Sequence, residues 1–194
     1  MKGEFKKGTL SKLVANLKKQ KKFEIEIEPR RQGFSYAGSA AGQGALPLAG
    51  ADVLIGDFAH GNAKTSEIQR TVPSFRITIN DRLNSQEQLV TLAHELGHIF
   101  CGHLGGCITS AREHNESGWP DRRYLGTHER EIEAEAVAYL VAARAGVEIR
   151  SAEYLKRHAQ RAEMEKINED LIVRATARTE RLAEIHYGTM LFKA

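Results

Sequence analysis

The chain has 194 residues, 41% hydrophobic and 27% charged, with 17 Gly and 4 Pro, a composition that fits a globular domain and excludes a collagen, a pure coiled coil or a disulfide scaffold. Cys101 and Cys107 are too few to staple a small secreted protein, and no bounded apolar stretch follows the N-terminal lysines as a signal peptide would, so the cytoplasm is the expected compartment. No window approaches the ~20 consecutive apolar residues of a membrane span, so no membrane insertion is expected. Net charge is only +3, but residues 1–22 carry eight lysines against Glu4 alone, a local +7 that leaves −4 on the remaining 172 residues.

In chain order, Leu10, Leu13, Val14 and Leu17 fall at i, i+3, i+4 and i+7, which predicts a short helix capped by Thr9 or Ser11 with its lysines outside the apolar stripe. Phe23, Ile25 and Ile27 alternate with Glu24, Glu26 and Glu28 up to Pro29, the period of a half-buried strand. From Arg30 to Asn62, glycines punctuate mostly small residues; this reads as a long irregular region with one strand at Asp52 to Ile55, in the place of a substrate-facing flap. Phe75, Ile77 and Ile79 alternate with polar residues in a second strand that ends at Asn80-Asp81.

Ser85 with Gln88 gives a capping-box pattern at the head of a helix reaching about Cys101, where Gly102, Gly105 and Gly106 stop it. Thr127 can cap a helix from His128 to Ala145 with Gly146 as its left-handed terminator. From Ser151 an amphipathic stretch through Met164, Ile167, Leu171, Ala175, Arg178, Leu182 and Ile185 predicts helix, with Asn168 as a point of division. The expected architecture is α+β: a small, mostly antiparallel sheet packed on the helix that carries His94 and His98. A basic N-terminal helix spans 1–22, the core 23–147 with its glycine-rich loop 30–62, and a helical extension 148–194.

His94-Glu95-Leu96-Gly97-His98 carries the chemistry. Two histidines at i and i+4 sit one helical turn apart, so both imidazoles can reach one zinc, while Glu95, a hundred degrees round, can address a water on that metal. Leu89, Leu92, Leu96, Ile99 and Phe100 take the opposite side of the helix from His94, His98, Val90 and Thr91, so one face is free to pack while the other offers imidazoles. A catalytic zinc wants a third protein ligand and an open position. Leu104 stands where a metzincin has its third histidine, and His103 misses by one. The helix from His128 offers Glu131, Glu133 and Glu135 ahead of the charge-free run Ala136 to Ala143, with Glu131 and Glu135 on a face shared by Ala138 and Ala142. Any of the three glutamates could serve, and all three could instead be favourable charges near a helix N-terminus.

With the strand Arg76-Ile77-Thr78-Ile79-Asn80, the segment Thr91 to His98 and the segment Glu131 to Ala138, residues Phe75 to Val147 resemble the ImmA/IrrE family of zinc metallopeptidases over a little over a third of the chain. The resemblance implies a gluzincin-like site in which His94, His98 and Glu131 bind Zn2+, Glu95 is the general base, and Glu135 takes the position behind the histidines usually held by Asn or Asp. It also implies an intracellular protein substrate, with regulatory cleavage of a DNA-binding repressor as the expected type. In related folds an edge strand holds the substrate extended, and Phe75 to Ile79 is the expected candidate. A further oxyanion donor is expected among His103, His114, Tyr124, His128 and Tyr139.

Two rival readings use the same residues. His98, Cys101, His103 and Cys107 could form a structural zinc clip, although Cys101 also reads as a small apolar residue. Alternatively, the chain is a non-catalytic, zinc-stabilised domain whose basic N-terminal helix docks nucleic acid or an acidic protein partner.

Overall fold

The alternation of Ile25 and Ile27 with glutamates forms β1 (Glu24–Arg30), and that of Phe75, Ile77 and Ile79 with polar residues forms β3 (Thr71–Asn80). In the computed structural model, which describes residues 5–31, 38–47, 71–107, 118–149 and 151–185, these strands lie side by side and parallel, Ile25 opposite Phe75 and Ile27 opposite Ile77. A third strand, β2 (Gly38–Pro47), pairs antiparallel with the other edge of β3. The sheet is therefore small and mixed, of order β1-β3-β2, and its longer ladder is the antiparallel one.

Two expectations change here. The glycine-rich stretch beginning at residue 30 is not wholly irregular, because β2 lies within it. Its Gly, Ser and Ala residues have little intrinsic strand preference, so the strand is specified by what it touches. A Cβ on Gly38 would lie 2.6 Å from Thr91 Cγ2 and 2.8 Å from the Thr78 carbonyl oxygen, and one on Gly42 would lie 3.1 Å from the Leu104 carbonyl oxygen. Small residues let this strand approach its neighbours, and a register shift between Gly42 and Gly44 bends it. The second change concerns β3, which is central with both ladders occupied and so cannot receive an added strand at Phe75 to Ile79; among the described residues the sheet edges are β1 and β2. The strand expected at Asp52 to Ile55 lies outside the described residues.

The described residues form five α-helices. α1 (Thr9–Leu17) is capped by neither Thr9 nor Ser11: it starts from Gly8 at φ 99°, and Thr9 Oγ1 donates to the Lys6 carbonyl. Leu13 and Leu17 are buried, while the lysines flanking them face solvent. α2 (Ser85–Phe100) takes its capping box one residue earlier than expected, since Asn84 Oδ1 accepts from Gln86 and Glu87 N–H while Glu87 Oε2 accepts from Asn84 N–H. α3 (Thr127–Ala145) starts from Gly126, with Thr127 as its first residue, and ends on Gly146 at φ 76°. α4 (Ser151–Ala159) and α5 (Glu169–Ala183) are separated by a 3-10 turn at Met164–Lys166, and Asn168 caps α5 by accepting from Leu171 N–H at 3.0 Å.

One hydrophobic core joins these elements. Phe23, just ahead of β1, and Phe75 and Ile77 of β3 meet Leu92, Leu96 and Phe100 of α2, while Val137 and Val141 of α3 and Leu171 and Ala175 of α5 close it. Trp119 packs edge-on to Phe23 and Phe100, and the Arg178 guanidinium lies 5.0 Å from the centroids of both Phe100 and Trp119. Among the described residues, no helix is long and apolar enough to cross a membrane.

Candidate metal centre

α2 and α3 pack directly against each other, with Gly97 of α2 close against Ala134 of α3. A Cβ on Gly97 would lie 2.8 Å from Ala134 Cα and 3.3 Å from Ala134 Cβ, so glycine at 97 is what permits the spacing. On either side of that contact α2 presents His94 and His98, and α3 presents Glu131. Leu89, Leu92, Leu96 and Ile99 are fully buried on the opposite side of α2, as the helical periodicity predicts.

His94 Nε2 and His98 Nε2 are 3.2 Å apart, Glu131 Oε2 lies 3.5 Å from His94 Nε2, and Glu131 Oε1 lies 3.6 Å from His98 Nε2. Two ligands of a tetrahedral zinc at ~2.0–2.1 Å are separated by about 3.3 Å, so this donor triad fits a single ion. The donor set, two imidazoles and a carboxylate, is one that catalytic zinc uses.

The other face of each imidazole is also engaged. His94 Nδ1 lies 3.1 Å from Glu135 Oε2, His98 Nδ1 lies 3.0 Å from His103 Nδ1, and His103 Nε2 lies 2.9 Å from Glu133 Oε2. One assignment of protons satisfies all three contacts: His94 Nδ1–H donates to Glu135, His98 Nδ1–H donates to His103, and His103 Nε2–H donates to Glu133. Both Nε2 lone pairs are then left for a metal. Arg122 completes the chain, donating to Glu133 Oε2 at 2.5 Å and Oε1 at 2.8 Å, and the Asn168 amide donates to Glu133 Oε1 at 2.8 Å. His103, Glu133 and Arg122 are all buried.

The charges of the metal-free cluster follow from these contacts. Burial opposes a charged His94, but hydrogen bonds to Glu131 and Glu135 outweigh it and raise the imidazole to about 9. Burial, reinforced by the His94 charge, lowers His98 to about 3. The His94 hydrogen bond holds Glu131 at about 2 against burial, with help from the Tyr154 hydroxyl. Burial dominates at Glu95 and raises it to about 7, although the His94 charge and the Ala40 amide favour its ionised form. Burial also keeps His103 below its ordinary value, which agrees with its role as an acceptor at Nδ1.

The structure brings together His94, His98, Glu131, Glu95 and Glu135. It separates Glu133 from the donor triad and commits it to His103 and Arg122. Cys101, His103 and Glu133 also lie close enough to one another to share an ion, but the latter two are already engaged with His98 and Arg122. Cys107 stands apart from that group, its Sγ donating to the Lys22 carbonyl at 3.6 Å, so the four residues of the zinc-clip reading do not converge. Among the expected oxyanion donors, both His103 ring nitrogens are occupied, His128 Nδ1 faces His158 Nδ1 at 3.2 Å, Tyr124 is 78% exposed, Tyr139 is half exposed, and His114 lies outside the described residues. Sequence reasoning missed Arg122, which carries no motif, and Tyr154, whose hydroxyl donates to Glu131 Oε2 at 2.5 Å from a helix far along the chain.

No curated protein and no solved structure matches this chain. Residues 49–145, half of the chain, match the family described as Peptidase_M78, IrrE N-terminal-like domain, and the matched segment contains His94, Glu95, His98, Glu131 and Glu135. With the fold, the donor triad and that match in agreement, the chain belongs to the Peptidase_M78 family of IrrE N-terminal-like domains.

Proposed function

We propose that this chain is a zinc-dependent peptidase in which His94, His98 and Glu131 hold the metal and Glu95 is the general base. The observation that carries this reading is the spacing of the three donor atoms, 3.2, 3.5 and 3.6 Å, together with the Nδ1 partners that leave both Nε2 atoms free. Zinc, when bound, is a Lewis acid that brings the pKa of a water toward ~7 and polarises a carbonyl.

Glu95 lies within electrostatic reach of His94 and Glu131, and with zinc bound it would take a proton from a water held there and deliver it to the leaving nitrogen. Glu135 and His103 hold the two imidazoles in the tautomer that binds metal. Gly38 of β2 sits next to this base, since a Cβ there would lie 3.6 Å from Glu95 Oε1. The edge strand β2 therefore replaces β3 as the strand on which an extended protein substrate would be held. The substrate class is an intracellular protein, with a DNA-binding regulator as the first candidate.

Glu95→Gln tests the assignment. It is expected to retain zinc, measured by metal analysis, and to lose cleavage of co-encoded proteins by at least ~100-fold, as removal of a general base does. Full cleavage by Glu95→Gln, or full zinc retention by His98→Ala, would overturn it.

A further inference from the structure

Tyr154 lies on α4, beyond the segment that matches the family. Its hydroxyl donates at 2.5 Å to Glu131 Oε2, the oxygen 3.5 Å from His94 Nε2, while Glu131 Oε1 is turned toward His98. The Tyr154 ring stands nearly perpendicular to that of His94, with centroids 6.4 Å apart, and packs on the His158 ring at 4.6 Å. His158 in turn meets His128 of α3 through their Nδ1 atoms. Two contacts thus tie α4 to the first turns of α3, Tyr154 to Glu131 and His158 to His128.

His94 is held from behind by Glu135, and His98 by His103. Glu131 is the most flexible of the three donors, a carboxylate on three rotatable bonds, and it has no such partner from α2 or α3. We propose that Tyr154 is the positioning residue for Glu131, so that the metal centre is completed by a helix outside the family's matched segment. The hydroxyl occupies one carboxylate oxygen, fixes the rotamer and presents the remaining lone pairs to the ion. This inference rests on the zinc reading above.

The test is zinc affinity of the full chain, measured by competition with a chromophoric chelator, for wild type, Tyr154→Phe, Glu131→Gln and the double variant. Tyr154→Phe keeps the ring on His158 and removes only the donor. It is expected to weaken zinc binding about 10- to 100-fold, the usual effect of losing an outer-shell partner, with the far-ultraviolet circular dichroism of the metal-free protein unchanged. In the Glu131→Gln background the same change is expected to cost little more, because the hydroxyl acts through Glu131. Wild-type affinity in Tyr154→Phe, or an equal further loss in the Glu131→Gln background, overturns the inference and leaves the zinc reading standing. A wild-type chain with no zinc affinity overturns both.

Discussion

The Nδ1 atoms of His98 and His103 face each other at 3.0 Å, and the His103 amide also donates to the His98 carbonyl at 2.9 Å, so the turn that ends α2 folds one histidine back behind another. His103→Leu removes the acceptor for His98 Nδ1–H and one donor to the buried Glu133 carboxylate. Zinc affinity is expected to fall about 10- to 100-fold. Leaving a buried polar group unsatisfied costs about 1–3 kcal/mol, so the metal-free protein should also lose stability by about that amount. Chelator competition and urea denaturation of the same sample measure the two effects. An unchanged zinc affinity would mean that His103 supports the fold alone.

In the metal-free protein His94 is raised to about 9, so it is charged at neutral pH and must lose a proton before it can bind metal. Apparent zinc affinity should therefore rise about tenfold per pH unit through neutrality and level off above about 9. Calorimetric titrations at pH 7 in buffers of different ionisation enthalpy should show about one proton released per zinc. The sign for folding is opposite. A raised imidazole contributes stability that is fully present below its ordinary value of 6.5 and is lost as pH climbs through about 9. Metal-free protein should thus become less stable over that window, and protein loaded with zinc should not. A flat zinc affinity between pH 6 and 9 would contradict the assignment.

How much of this was legible depends on where each residue's job is decided. The α2 assignment was readable because a helix imposes its own geometry: His94 and His98 must share a face, and Leu89, Leu92 and Leu96 must occupy another. β2 was not, since Gly38, Ala40 and Ala41 carry no period, and their strand comes from a partner and from close approach. β3 was read as a strand, but strand periodicity says nothing about rank in the sheet, so its central position was out of reach. Glu131 and Glu135 were placed on one face by their spacing, yet the separate fate of Glu133 depends on Arg122, Asn168 and His103, which only tertiary folding brings to it. The cap of α2 moved by one residue because Asn84 and Glu87 satisfy the same pattern as Ser85 and Gln88, and the former pair closes both bonds.

Gly97 offers a third test, of spacing rather than of a ligand. Alanine there gains up to about 1 kcal/mol of helix propensity, which on an isolated helix would stabilise. Here the added methyl would lie 2.8 Å from Ala134 Cα and 3.1 Å from its carbonyl oxygen, both backbone atoms that cannot swing aside. Overpacking of this kind costs about 1–3 kcal/mol, so Gly97→Ala should be net destabilising. It should also part His94 and His98 from Glu131 and weaken zinc binding. A lower melting temperature with lower zinc affinity is the expected pair of results; a higher melting temperature would show that α2 and α3 tolerate a wider crossing.

Gly38 offers a test of the base. A Cβ at this position of β2 would meet Thr91 and the Thr78 carbonyl and would lie 3.6 Å from Glu95 Oε1. The neighbouring Ala40 amide also favours ionised Glu95. Gly38→Ala should therefore push the strand off α2, disturb the seat of the base and displace any substrate held along that edge. A misplacement of about 1 Å can cost on the order of 100-fold in rate, so cleavage should fall steeply while zinc affinity stays near that of the wild type. Zinc analysis beside a cleavage assay distinguishes this from collapse of the site. Equal losses of metal and turnover would show that β2 supports the whole centre and has no particular relation to Glu95.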